Sequence, residues 1–144
     1  MIWTFKIELL FGMYAEDEWQ AELELDSLSS LEDLHFAIQD AVEFENDHLY
    51  EFYIARTETS RDRIRFDDED GGIYSAAIED IYPLEKDRKL YYMFDYGDSW
   101  LFKVTKTRKS PKEPKRSVKY PRMVKEIGSK PEQYPDPESD EYYV

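Results

Sequence analysis

Cysteine is absent from the sequence. Its absence excludes disulfides, thiolate zinc sites and thiol catalysis, and it suits a reducing interior. No apolar run approaches the roughly 20 residues needed to span a bilayer, and the opening Met-Ile-Trp-Thr-Phe-Lys does not read as a signal peptide. The chain therefore reads as soluble and cytoplasmic, without membrane contact. There is no G-x-S-x-G elbow and no phosphate-binding P-loop, so nucleophilic hydrolysis and nucleotide chemistry have no motif to rest on. Histidine occurs only twice, at His35 and His48, and no repeats are visible.

What is present points to one domain. A chain of 144 residues is large enough to bury a single core. Aromatic residues make up 16%, with 12 Tyr and 8 Phe, so a core of rings is expected, with several hydroxyls needing partners. The net charge of −14 is unevenly placed. Residues 103–130 hold 11 Lys and Arg against 2 acidic residues, whereas residues 131–144 hold 5 acidic residues and no base. An acidic body thus carries a basic band and an acidic tail. The overall charge disfavours tight, general nucleic-acid binding, but the band by itself does not.

Residues 2–11 alternate, with Trp3, Phe5, Ile7, Leu9 and Phe11 against Thr4, Lys6 and Glu8. Residues 19–26 do the same, with Trp19, Ala21, Leu23 and Leu25 against Gln20, Glu22, Glu24 and Asp26. This pattern predicts a half-buried antiparallel hairpin. A helix follows: Ser29 fits an N-cap with Glu32 three residues on, and Leu31, Leu34, Ile38, Ala41 and Val42 form one stripe that ends near Phe44. Residues 49–55 predict a strand and residues 63–66 a short one. Residues 73–82 suggest a helical turn capped by Ser75, with Ile78 and Ile81 inward. From Thr107 onward, six prolines preclude long regular structure. Val118, Tyr120, Met123, Val124 and Ile127 are expected to pack as an extended arm with one helical turn, and residues 135–144 are expected to be mobile. The division is a core domain over 1–106 and a Pro/Lys-rich arm with an acidic tail over 107–144. The fold class is α+β, a mostly antiparallel sheet with one main helix packed on one face. It is β-grasp-like, with a ferredoxin-like arrangement as the alternative.

The most distinctive stretch runs from Leu90 to Val104. Leu90, Tyr92 and Phe94 alternate with Tyr91, Met93 and Asp95, and Trp100, Phe102 and Val104 with Leu101, Lys103 and Thr105. Two strands are joined by Asp95-Tyr96-Gly97-Asp98-Ser99, in which Gly97 is expected to supply a positive φ. Asp95, Asp98 and Ser99 can bond the turn's own N–H groups. The run Phe94-Asp95-Tyr96-Gly97-Asp98-x-Trp100 resembles the Y-x-[YF]-D-[FY]-G-D-x-W motif of the plasmid pRiA4b ORF-3-like family. The helix segment Leu31 to Gln39 is similar to that family's L-x-x-L-H-x-x-I-Q, and His48-Leu49-Tyr50-Glu51-Phe52 to its H-L-x-x-F. Tyr120-Pro121, then Lys130-Pro131-Glu132-Gln133, resembles its tail with a P-P-E-[DQ] core. Two departures stand out: Phe102 occupies a position where members often carry His, and the Gly-Gly that commonly follows the P-P-E-[DQ] core is absent. Some members are labelled resolvases. A serine recombinase would need several Arg around its nucleophile, yet only one Lys and no Arg precede Arg56, so that activity is not expected here. The resemblance implies no established activity.

The candidate site comprises His35, Gln39, His48, Asp95, Gly97, Asp98 and Trp100. His35 and Gln39 share a helix face at a spacing of four. With His48 and the turn carboxylates they raise an alternative, a metal-dependent or hydrolytic site at His35, His48, Asp95 and Asp98. The favoured expectation is a non-enzymatic binding module for a protein or nucleic-acid partner, with no cofactor and no metal. The possible nucleic-acid contacts are Lys109, Lys112, Lys115, Arg116, Lys119 and Arg122. A sheet edge that accepts a partner strand is a further possibility.

Overall fold

The computed structural model describes residues 1–135; of the expected mobile end, all but Pro135 lies outside the described residues. The alternating segments form the strands they predict, and a seventh strand, over Arg122–Gly128, forms where none was expected. These are β1 (Ile2–Phe11), β2 (Trp19–Asp26), β3 (Tyr50–Ala55), β4 (Arg63–Phe66), β5 (Lys89–Phe94), β6 (Trp100–Lys106) and β7 (Arg122–Gly128). The main helix is α1 (Leu31–Val42), and two four-residue turns of helix follow, α2 (Gly72–Ser75) and α3 (Ile78–Ile81). All seven strands lie in one sheet of order β4-β3-β5-β6-β1-β2-β7. Every neighbouring pair is antiparallel.

The helix-on-sheet reading therefore holds as an α+β fold that is mostly antiparallel sheet. A β-grasp centres on a parallel strand pair, whereas here β1 and its central neighbour β6 run antiparallel. A ferredoxin-like split would need a second full helix.

One face of the sheet carries the core. Phe5, Ile7, Trp19, Leu23, Phe52, Tyr92, Phe102 and Val104 pack beneath the helix stripe of Leu34, Ile38 and Val42. Each such side chain contributes roughly 1.5–3 kcal/mol on burial. The opposite face has a small apolar cluster of its own, with Tyr53 stacked on Tyr91 at 5.2 Å beside Ala55 and Leu101.

The helix starts one residue later than the sequence suggests. Ser30 is the N-cap: its hydroxyl accepts from the Asp33 amide, and the Asp33 carboxylate accepts from the Ser30 amide. The reciprocal pair works with Asp at the third position as it does with Glu, so Ser29 and Glu32 lose out to their neighbours. Ser75 likewise ends α2 rather than capping α3, whose N-cap is Ala77.

Residues 107–135 depart most from expectation. The predicted helical turn among Val118, Tyr120, Met123, Val124 and Ile127 is not formed. The second half of that stretch is β7, which extends the sheet beyond β2. To get there the chain first lies against the start of β1, where the Thr107 amide donates to the Thr4 carbonyl, and Ile2 and Lys112 exchange two backbone bonds of 2.7 and 3.1 Å.

Gly12, just after β1, has no room for a side chain. An added Cβ would sit 2.3 Å from the Trp100 ring. Gly12→Ala is expected to destabilise the fold by about 1–3 kcal/mol through overpacking, read as a lower urea midpoint with an unchanged slope. An unchanged midpoint would mean that the ring has room to shift.

Candidate functional site

The predicted site residues fall into two polar clusters on either side of Phe94. The first is buried. His35 and Gln39, on the same face of α1, are 1% and 2% exposed. The Tyr92 hydroxyl, on β5, lies 2.5 Å from His35 Nδ1 and accepts from Gln39 Nε2 at 2.9 Å. His35 Nε2 faces Asn46 Oδ1 at 2.6 Å, and the Asn46 amide donates to Gln39 Oε1 at 3.1 Å. The proton positions follow from this arrangement. A carbonyl oxygen can only accept, so Nε2 carries the proton; Nδ1 then accepts from the Tyr92 hydroxyl, which accepts in turn from Gln39. The Tyr50 ring stacks flat on the imidazole at 3.6 Å. Burial disfavours the imidazolium and pulls the His35 pKa down to about 4, against a smaller upward pull from Asn46. His35 is thus neutral at neutral pH, and both its ring nitrogens are taken.

The second cluster is half exposed and joins three segments. His48 Nε2 lies 2.7 Å from the Tyr134 hydroxyl, 3.3 Å from Asp95 Oδ2 and 3.6 Å from Asp47 Oδ1. The Tyr134 hydroxyl donates to Asp47 Oδ2 at 2.7 Å, and Gln133 Nε2 donates to Asp47 Oδ1 at 2.9 Å. Gln133 Oε1 accepts the Glu45 amide at 2.7 Å. Burial pushes the Asp47 carboxyl up, but the hydrogen bonds from Tyr134 and Gln133 outweigh it and hold the group below its usual range.

Asp95 is buried and has a left-handed φ of 60°. Its Oδ1 accepts the Gly97 and Asp98 amides at 3.1 and 3.3 Å, and its carbonyl accepts the Ser99 amide at 2.6 Å. The positive φ expected at Gly97 falls instead on Asp95 and Ser99. Asp tolerates that region because its short side chain bonds its own turn. Asp98 touches the same carboxylate: burial and then the neighbouring Asp95 charge push its carboxyl up. Trp100 is fully buried, edge-on to Phe44 at 5.0 Å, and its Nε1 has no hydrogen-bond partner. Phe102 packs between Trp19 and Tyr92.

The structure thus brings His48 to Asp95 and keeps His35 on its own partners. Among the described residues no group of three His, Asp or Glu is arranged to hold a metal ion. Sequence reasoning passed over Tyr92, Asn46, Asp47 and Tyr134 as partners. Asn46-Asp47-His48 offered a signal, since three hydrogen-bonding side chains between a helix and a strand have to be paired somewhere.

The basic band is partly neutralised by the sheet. Lys109 pairs with Glu22 at 2.9 Å and Lys125 with the same carboxylate at 3.7 Å. Lys112 and Arg122 both pair with Glu24, the latter at 2.6 Å. Glu24 is only 4% exposed. Its burial raises its pKa, but the two cations outweigh that and hold it low. Arg108, Lys115, Arg116 and Lys119 are exposed and make no ion pair with the described residues.

These features define an open antiparallel α+β domain in which two histidine-centred clusters lock a helix and a C-terminal segment to one corner of the sheet. No helix is long and apolar enough to cross a membrane. The chain belongs to the plasmid pRiA4b ORF-3-like protein family, whose model matches residues 3–134. It is also similar to the crystal structure of a protein of unknown function from Methanosarcina mazei Go1. The TM-score is 0.69 at 25% sequence identity, covering 87% of this chain and 68% of that one. A search of curated proteins gave no match.

Proposed function

We propose that the protein is a non-enzymatic, cytoplasmic binding module that takes a nucleic-acid backbone on residues 108–119. The observation that carries this is selective neutralisation. Glu22 and Glu24 engage Lys109, Lys112, Arg122 and Lys125, which pins the segment to the sheet. Arg108, Lys115, Arg116 and Lys119 are left exposed along it, with Tyr120 alongside. Phosphates bind such a set by releasing counterions, and a nearby ring can take a base. The acidic remainder of the surface repels the same ligand and confines it to the segment. Absence of chemistry is supported by His35, whose two nitrogens are spent on internal hydrogen bonds.

Fluorescence anisotropy with labelled single- and double-stranded oligonucleotides, in a salt series, tests this. Four contacts give a log–log salt slope of about −3 to −4. Charge reversal at Lys115, Arg116 and Lys119 should abolish binding while leaving the melting temperature nearly unchanged. No binding even at low salt would overturn the reading and transfer it to a protein partner. The outer edge of β7, with Val124 and Ile127 exposed, is the surface that supports a partner strand.

A further inference from the structure

We propose that the cavity walled by Trp3 and Tyr82, at the opposite end of the sheet from the histidine clusters, binds a small aromatic molecule carrying one anionic group. The cavity has a volume of about 640 Å³, within the range of sites that take small ligands. Its apolar walls are Trp3, Tyr82, Leu84 and Val104. Trp3 and Tyr82 meet edge-to-face at 6.2 Å and 82°, leaving ring surface for a planar guest.

One observation selects the guest's polarity. The Lys106 ammonium is held over the Trp3 ring at 4.8 Å, fixing a positive charge beside the apolar wall. The other charges at the rim are committed elsewhere or turned to solvent. Glu79 accepts from the Ser27 hydroxyl, Arg88 pairs with Asp62, the Lys89 ammonium donates to the Arg56 carbonyl, and Asp80 is exposed. Lys106 is the cation fixed against the ring wall, while Lys89 is exposed at the rim, so an anionic group on a guest whose ring lies on Trp3 and Tyr82 would meet Lys106.

The probe is anilinonaphthalene sulfonate, set against its uncharged parent, phenylnaphthylamine. The readout is heteronuclear NMR of the indole N–H groups of the full chain. Of the three tryptophans, Trp19 bonds Glu126 and Trp100 is fully buried at the other end, so Trp3 alone reports on this cavity. The sulfonate should shift the Trp3 signal saturably and leave the other two in place. The uncharged parent should bind about five- to tenfold more weakly, and Lys106→Met should remove that difference, as expected for one charge-assisted contact. Leu84→Trp, which fills the cavity, should abolish the shift. The proposal is overturned if Trp3 does not move, if all three indoles move together, or if charged and uncharged probes bind alike.

Discussion

Tyr92→Phe should destabilise the protein by about 2–5 kcal/mol, although it removes a single oxygen. The Tyr92 hydroxyl serves two buried partners at once, donating to His35 Nδ1 and accepting from Gln39 Nε2. Its loss leaves an imidazole acceptor and an amide donor with no replacement within a core that excludes water. Each orphaned group costs about 1–3 kcal/mol. The remedy distinguishes this account from simple loss of packing. Combining Tyr92→Phe with His35→Leu and Gln39→Leu removes the orphans together with their partner. The triple variant should then be less destabilised than the three single effects summed, by about 1–3 kcal/mol. Urea unfolding of the three single variants and the triple, each against the unsubstituted protein, checks this. Strict additivity would show that the network is no unit.

The second large effect is on acid stability. His35 has a pKa of about 4 in the fold against 6.5 for the free side chain. Between those values the unfolded chain binds a proton that the folded chain refuses. The contribution is therefore complete above pH 6.5, falls as the pH drops from 6.5 towards 4, and is fully lost below 4. A shift of that size corresponds to about 3 kcal/mol. Glu22, Glu24, Asp47 and Glu126 are held below their usual values, so they extend the loss to lower pH. Asp98, raised by burial and by Asp95, acts in the opposite sense. The check is the urea midpoint at successive pH values, together with the imidazole proton shift of His35. A titration midpoint near 4 supports the assignment. A midpoint near 6.5 would mean that the ring is solvated and charged in the fold.

The contrast between the two clusters shows what one sequence can reveal. The strands of the sheet's body and the helix stripe were legible because burial on one face imposes a period of 2 or of 3.6 on the residues. The 95–99 turn was legible because Asp and Ser next to Gly have few other uses. Its backbone was misassigned because an Asp that bonds its own turn can take the strained position and free Gly97 from it. Whether His35 and His48 shared a site could not be read. The helix and the segment leading into β3 place them on opposite sides of Phe94, and that separation depends on packing. β7 was missed because its residues gain their strand geometry from β2 and carry little pattern themselves. Four of its seven residues are Arg122, Met123, Lys125 and Glu126, and six of the seven are exposed. The prolines before it were read as ending regular structure, whereas they end only the segment that crosses to the edge.

The position of β7 also bears on how the chain is made. β2 leaves the ribosome some hundred residues ahead of β7, and until β7 follows its outer edge has no strand to pair with. Over that interval the growing polypeptide displays an unpaired edge, the arrangement most prone to pairing with another chain. Glu22 and Glu24 lie on that edge without their cations during the same interval. Their mutual repulsion, and that towards a second nascent copy, would guard the edge until the basic segment arrives. The two carboxylates would thus serve as gatekeepers during synthesis and as anchors afterwards, which ties solubility in translation to the charges that later fasten the sheet.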